Sequence, residues 1–153
     1  AFDRVLYVPA FQSPLKEEPF TSETHRLNML SLALEEHTWA DVSTIELDRA
    51  GNSFTIDTIE ALQHPDEELR LLIGADQWIQ FNQWKRWEDI IDIANPVILP
   101  REGYNVQDAR VLPVKPMPEV STDIRKRIRE GHSISDLVPA CVETYIAQHG
   151  LYQ

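Results

Sequence analysis

Short β-prone runs alternate with helical patterns along the chain, and this alternation constrains the fold more than any other feature. Val5-Leu6-Tyr7-Val8 is the first run, stopped by Pro9. The stretch from Ala10 to Thr21 carries Pro14, Lys16 and Pro19 and reads as an exposed loop. Thr21 or Ser22 can cap the helix that Leu27, Leu30, Ala33 and Leu34 mark out to about His37. Val42, Thr44, Ile45 and Leu47 predict a second strand, leaving through Asp48, Arg49, Ala50 and Gly51. Phe54, Ile56, Ile59 and Leu62 predict a helix that ends before Pro65. A third strand falls at Leu69, Leu71, Leu72 and Ile73, and Ile90, Ile91 and Ile93 mark the helix after Trp87. Pro96-Val97-Ile98-Leu99 is a fourth strand, closed by Pro100. Val111-Leu112-Pro113-Val114 is a short fifth, with Pro113 suited to an edge or a strand end. Residues 121–130 predict a helix stopped by Gly131, and residues 139–149 a last helix stopped by Gly150. This order calls for an α/β fold on a doubly wound parallel sheet.

The third strand opens the most informative stretch. Its apolar run has the length of a buried strand, and Gly74 and Ala75 end it with two small residues that allow a sharp turn and close approach of a ligand. Asp76 stands where a parallel strand hands over to a helix, the end of an open sheet where ligands gather. A carboxylate there can accept both hydroxyls of a ribose. Trp84 and Trp87 bracket Lys85 and Arg86, so a flat apolar surface lies beside cationic donors. That pairing suits a ring carrying negative charge. The plainer alternative makes Asp76 a helix cap and both tryptophans core residues.

Composition narrows the function classes. The 153 residues are one domain's worth of chain, and 42% apolar with 25% charged residues is ordinary for a soluble globular protein. No apolar run approaches the roughly 20 residues of a membrane-spanning helix, and Ala1-Phe2-Asp3-Arg4 carries no signal-peptide pattern. A net charge of −11 argues against nucleic acid or an anionic membrane as partner. A small anionic ligand answers to local charge instead, and Arg125, Lys126, Arg127 and Arg129 bunch together, either at a site or on a solvated helix face. Cys141 is alone, which fits a reducing cytosol, and its helical setting reads as a small core residue. A homo-oligomer is compatible with this composition.

Three places follow predicted strands. Gly51-Asn52-Ser53-Phe54-Thr55 is a turn and helix start offering amides and hydroxyls to an anion. Asp76 with Trp84 is the second. The third is Ser121-Thr122-Asp123-Ile124-Arg125, where a helix N-terminus meets an arginine one turn in, a sound arrangement for phosphate. A Ser or Thr before a helix is usually only a cap; the joint order of the three is much more specific.

These residues resemble a known family. Asp48-Arg49-Ala50-Gly51-Asn52-Ser53-Phe54-Thr55-Ile56-Asp57-Thr58, Ile73-Gly74-Ala75-Asp76, Trp84-Lys85-Arg86-Trp87 and Ser121-Thr122-Asp123-Ile124-Arg125 are similar to segments of bacterial nicotinate mononucleotide adenylyltransferase. Val8-Pro9-Ala10, Ser13-Pro14-Leu15-Lys16, His25-Arg26-Leu27, Pro100-Arg101-Glu102-Gly103-Tyr104 and His149-Gly150-Leu151-Tyr152 support it, in family order from end to end. The resemblance implies a Rossmann-like nucleotidyltransferase fold and an enzyme that joins nicotinate mononucleotide to ATP, with Mg²⁺, in NAD biosynthesis in the cytoplasm. Carried over by motif, the amides of Thr55 and Lys85 receive the pyridine carboxylate, Trp84 stacks on the ring and Asp76 binds the ribose. Ser121, Thr122 and Arg125 hold the ATP phosphates, with Arg101 and Lys16 as further phosphate contacts. No covalent enzyme intermediate is needed.

Two departures accompany the likeness. Leu15 stands where the family often has a histidine. The family also begins with a central strand and a Gly-rich segment containing His-x-Gly-His that grips ATP; here His25, His37, His64, His132 and His149 are scattered, and no catalytic residue is assigned. The expectation is a single nucleotidyltransferase-like domain over residues 1–153 whose first strand and ATP loop precede Ala1, with supply from elsewhere or loss of catalysis as alternatives. Without that strand the sheet would show unpaired edges. The competing functions are a non-catalytic nucleotide-binding module, an adenylyltransferase for another acceptor such as phosphopantetheine, and a structural α/β domain.

Overall fold

The computed structural model describes residues 2–14, 21–118 and 120–153. Along the chain run β1 (Val5–Tyr7), α1 (Glu23–Leu34), β2 (Ala40–Val42), α2 (Ile45–Arg49) and α3 (Thr55–Leu62). Then come β3 (Leu72–Gly74), α4 (Ala75–Trp78), a 3₁₀ turn (Phe81–Gln83), α5 (Trp87–Ala94), β4 (Val97–Leu99), α6 (Val120–Arg129) and α7 (Ala140–His149). They form two compact units, Ala1–Ser53 with Val120–Gln153, and Phe54–Glu119.

The first unit contains a parallel β1–α1–β2 crossover, with Val5 opposite Ala40 and Tyr7 opposite Val42. Ser22 starts α1, its hydroxyl accepting from the His25 amide at 3.3 Å, as the cap chemistry predicts. Helix α1 lies against α7, and Met29, Leu32 and Ala33 pack on a core of Ile134, Val142, Ile146 and Leu151. Gly150 ends α7 in the left-handed conformation, φ +57°, where a side chain would be strained.

The second unit repeats the theme. β3 and β4 are parallel, Leu72 opposite Val97 and Gly74 opposite Leu99. Ile56 and Ile59, one turn apart on α3, meet Ile90 and Ala94 of α5 in a core that also holds Ile73, Ala75, Phe81 and Ile98. Burying each such isoleucine stabilises the unit by about 1.5–3 kcal/mol. The α/β class with parallel strands is therefore as the sequence predicts.

Four local expectations need correction. The second strand lies at Ala40–Val42, and Ile45–Arg49 is helical instead. Thr44 is the cause: its hydroxyl donates to Asp48 Oδ2 at 2.8 Å, and its carbonyl accepts from the Asp48 amide at 2.8 Å, closing a helical turn. The fifth strand is reduced to one bridge, Val111 beside Ile98. Pro113 has no amide to extend that ladder, and the Val114 amide turns back to Leu112 O at 2.8 Å. Leu72 of the third strand is 44% exposed, not buried. Cys141 is exposed, its Sγ 3.5 Å from Leu32 O, because Val142 and Ile146 occupy the core face of α7.

Candidate functional site

In the second unit the parallel strands deliver two charged side chains from their carboxyl ends. β3 runs out at Gly74 and α4 begins at once, setting Asp76 in its first turn; β4 runs out at Leu99, and Arg101 follows Pro100. Asp76 is not a helix cap, since Gly74 holds that position and no side chain closes it. Arg101 Nε stands 3.5 Å from Asp76 Oδ1, too far for a good hydrogen bond. Both atoms are shut off from solvent and have no hydrogen-bond partner. The other ends are anchored: Asp76 Oδ2 accepts from Gln77 Nε2 at 3.0 Å, and Arg101 Nη1 donates to Pro118 O at 3.3 Å. The two charges pair across 3.5 Å without a hydrogen bond between these atoms, which a hydroxyl placed within reach of both would supply. Arg101 also lines a concavity of ≈ 400 Å³ with Tyr104, Asn105 and Lys115.

The tryptophan segment is built on Phe81, which is buried at the centre of an aromatic cluster. Trp78 stacks on it at 4.8 Å, Trp84 tilts against it at 5.2 Å and Trp87 meets it edge-on at 6.5 Å. The Arg110 guanidinium covers Trp78 at 4.7 Å and is gripped by Asp108 through bonds of 2.8 and 2.9 Å. Those bonds, side chain first and the Arg110 amide second, hold the Asp108 carboxyl below its usual range. Trp84 and Trp87 are half-buried, packed against the core and partly open to solvent.

The turn after Trp84 is tied to α3. Lys85 Nζ lies 2.9 and 3.0 Å from the two Asp57 oxygens and 4.6 Å from the centre of the Phe54 ring. Arg86 takes a left-handed backbone, φ +52°, and its guanidinium reaches Asp89 at 2.5 Å and Glu60 at 2.8 Å. Those two carboxylates, Asp89 first, push the Arg86 pKa above its ordinary value. Thr55 is the first residue of α3, and Phe54 before it supplies no side-chain cap. Asp57 places a carboxylate in the same first turn, which the helix dipole favours.

The remaining predicted residues belong to the first unit. Ser121 and Thr122 are exposed in the first turn of α6, with Arg125 half-buried behind them. Burial pushes the Tyr152 phenol up, and Arg125 and Arg26 work against that rise, so both arginines lie within electrostatic reach of one hydroxyl. Arg127 is committed to Asp123 and Asp136, each at 3.1 Å. In the glycine turn, Ser53 Oγ accepts from the Phe11 amide at 2.9 Å, so this hydroxyl holds backbone in place. Leu15 and Lys16 lie outside the described residues.

The structure therefore joins Asp76 to Arg101, and Lys85 to the first turn of the helix that Thr55 begins. Sequence reasoning did not single out Asp57, Glu60, Arg110 or Trp78; the spacing of Asp57 and Glu60 on one helix face was the available signal.

Parallel βαβ crossovers with polar side chains gathered at strand ends define a ligand-binding α/β protein. The chain belongs to the cytidylyltransferase-like family, whose model matches residues 1–127. A protein from Vibrio parahaemolyticus assigned as a nicotinate-nucleotide adenylyltransferase is similar in structure, with a TM-score of 0.73 at 21% identity over 99% of this chain and 79% of that one. The Plasmodium falciparum nicotinic acid mononucleotide adenylyltransferase in complex with NaAD gives 0.79 at 16% identity, over 98% of this chain and 82% of that one. The same enzyme with APC gives 0.75 at 17% identity over the same shares, 98% and 82%. These likenesses share the fold. Among the described residues, no helix is long and apolar enough to cross a membrane.

Proposed function

We propose that this protein transfers the adenylyl group of ATP to nicotinate mononucleotide, giving deamido-NAD and pyrophosphate in the cytoplasm. The observation that carries the reading is the Asp76–Arg101 ion pair beside the glycine that ends β3, whose facing atoms Oδ1 and Nε make no hydrogen bond. A ribose hydroxyl satisfies both, donating to the carboxylate and accepting from the guanidinium. The ring then lies against Trp84, its carboxylate on the amides of Thr55 and Lys85. Ser121, Thr122 and Arg125 take the ATP phosphates; Arg101 and Lys16 are further phosphate contacts.

The mononucleotide phosphate oxygen attacks the α-phosphorus of ATP, and the bond from that phosphorus to the bridging oxygen of the β-phosphate breaks. Pyrophosphate leaves with the electron pair. The protein supplies position and positive charge rather than a nucleophile. Mg²⁺ belongs to this reading as part of the Mg·ATP substrate, coordinated mainly by phosphates and water.

The test is adenylyl transfer with ATP, Mg²⁺ and nicotinate mononucleotide, following deamido-NAD by chromatography. Nicotinamide mononucleotide and phosphopantetheine serve as rival acceptors. Product from nicotinate mononucleotide above both rivals supports the reading. Binding of both substrates without product selects the non-catalytic nucleotide-binding module instead.

A further inference from the structure

We propose that Asp57 and Glu60 are positioning residues for the pyridine site, clamping the Trp84–Arg86 turn across the helix whose N-terminus receives the carboxylate. The proposal rests on the function given above and adds to it a reason why the ring platform holds still. The two acids are three residues apart on α3, so they share one face. Each takes one of the two successive cations that follow Trp84: Lys85 bonds both oxygens of Asp57 at 2.9 and 3.0 Å, and Arg86 reaches Glu60 at 2.8 Å.

Arg86 carries a further restraint. A non-glycine residue at φ +52° persists only where its surroundings determine it. Here the guanidinium spans Glu60 on α3 and Asp89 on α5, so one side chain fixes the turn to both helices. Lys85 Nζ also sits over Phe54, the residue immediately before Thr55. Of the two amides that would receive the carboxylate, one opens α3 and the other belongs to the residue bolted onto its first turn. The same bolts orient Trp84, whose other contacts are to Phe81 and the core. Neutralising the acids frees the turn without emptying the core, because both pairs are partly exposed.

The experiment compares the wild-type protein with the double variant Asp57→Asn/Glu60→Gln and with Asp57→Glu/Glu60→Asp, which keeps both charges. Steady-state kinetics give KM for nicotinate mononucleotide and for ATP separately. Fluorine NMR of 5-fluorotryptophan-labelled protein, with the Trp84 resonance assigned by Trp84→Phe, reads the platform without any substrate. The expected result is a rise of about three- to tenfold in KM for the mononucleotide, the size of losing two partly exposed ion pairs. KM for ATP stays within about twofold, the Trp84 signal shifts or broadens, and the charge-retaining variant recovers much of both effects. Equal rises in the two KM values, or no rise with an unmoved Trp84 signal, overturn the clamp. If wild-type protein turns over no mononucleotide, the functional reading falls. The fluorine signal then decides the clamp alone: a resonance that the double variant leaves unchanged overturns it, and one that moves supports it.

Discussion

Gly74 and Asp76 are packed so closely that a Cβ on the glycine would lie 2.3 Å from Asp76 Oδ1. The same Cβ would come within 3.2 Å of Arg101 Nε. Gly74→Ala therefore displaces the unsatisfied pair while the obstructed atoms, being side-chain ends, can swing aside. The fold should survive, with Tm lowered by no more than a few degrees. Affinity for the mononucleotide should fall about tenfold or more, the scale of one lost charged hydrogen bond at a shielded site. Calorimetry on the variant, beside a thermal melt, measures both; full affinity would remove the pair from the site.

On the proposed function, Trp84 should govern substrate use but not the choice between nicotinate and nicotinamide. Both rings are flat and stack alike, whereas a carboxylate only accepts hydrogen bonds and a carboxamide brings an NH₂ that faces the Thr55 and Lys85 amides donor to donor. Such a mismatch costs on the order of 1–3 kcal/mol when buried. Wild-type protein should prefer nicotinate mononucleotide in kcat/KM, and Trp84→Ala should lower both values while largely keeping their ratio. Matched transfer assays with each mononucleotide at fixed ATP give the comparison. Equal wild-type efficiencies would show that the amides do not read the carboxylate.

On the proposed function, Arg125 should answer to the other substrate. It stands one turn into α6 after Ser121 and Thr122, and a guanidinium there would add to the helix dipole in drawing phosphate. Arg125→Ala should weaken ATP by roughly ten- to a hundredfold, from about 1.5–3 kcal/mol, and leave the mononucleotide nearly untouched. Titration of the variant with ATP and, separately, with nicotinate mononucleotide settles the split.

Acid should unfasten the brace on Trp78. The Asp108 carboxyl is depressed by the Arg110 side chain and amide, so its contribution to stability is fully present above the unfolded value near about 3.9. That contribution is lost as pH falls through the lower folded value. Asp108→Asn should thus melt below wild type at neutral pH, and the gap should close on acidification below about pH 4. Melts of the two proteins across that range give the answer, and a gap constant with pH would detach the pair from acid stability.

What the sequence disclosed was mostly local. Ser22 ahead of α1, Gly150 behind α7 and the isoleucines of α3 and α5 mark their elements through caps and periodicity, and the structure keeps them. The handover from β3 to Asp76 was equally legible, because a glycine and an alanine between an apolar run and an acid leave few other geometries. Thr44 misled because a threonine beside isoleucine reads as strand until its hydroxyl is seen on Asp48. Pro113 was visible, but not the backward turn of Val114 that ends the ladder. Cys141 was placed in the core on helical period alone, and period does not say which face is covered. The pairs Lys85–Asp57 and Arg86–Glu60 join residues far apart in the chain, and nothing in either segment names the other.

The two units differ in how their chain is drawn. Phe54–Glu119 is continuous, whereas the other unit is assembled from Ala1–Ser53 and Val120–Gln153. His25 and Tyr145, bonded at 2.9 Å between α1 and α7, are 120 positions apart. During synthesis from the N-terminus, the continuous unit has all its residues while the other still waits for the helix that completes its core. Loop closure over such a separation is slow relative to neighbouring contacts. The topology therefore favours an order of assembly in which the inner segment can condense before the outer unit is closed by α7.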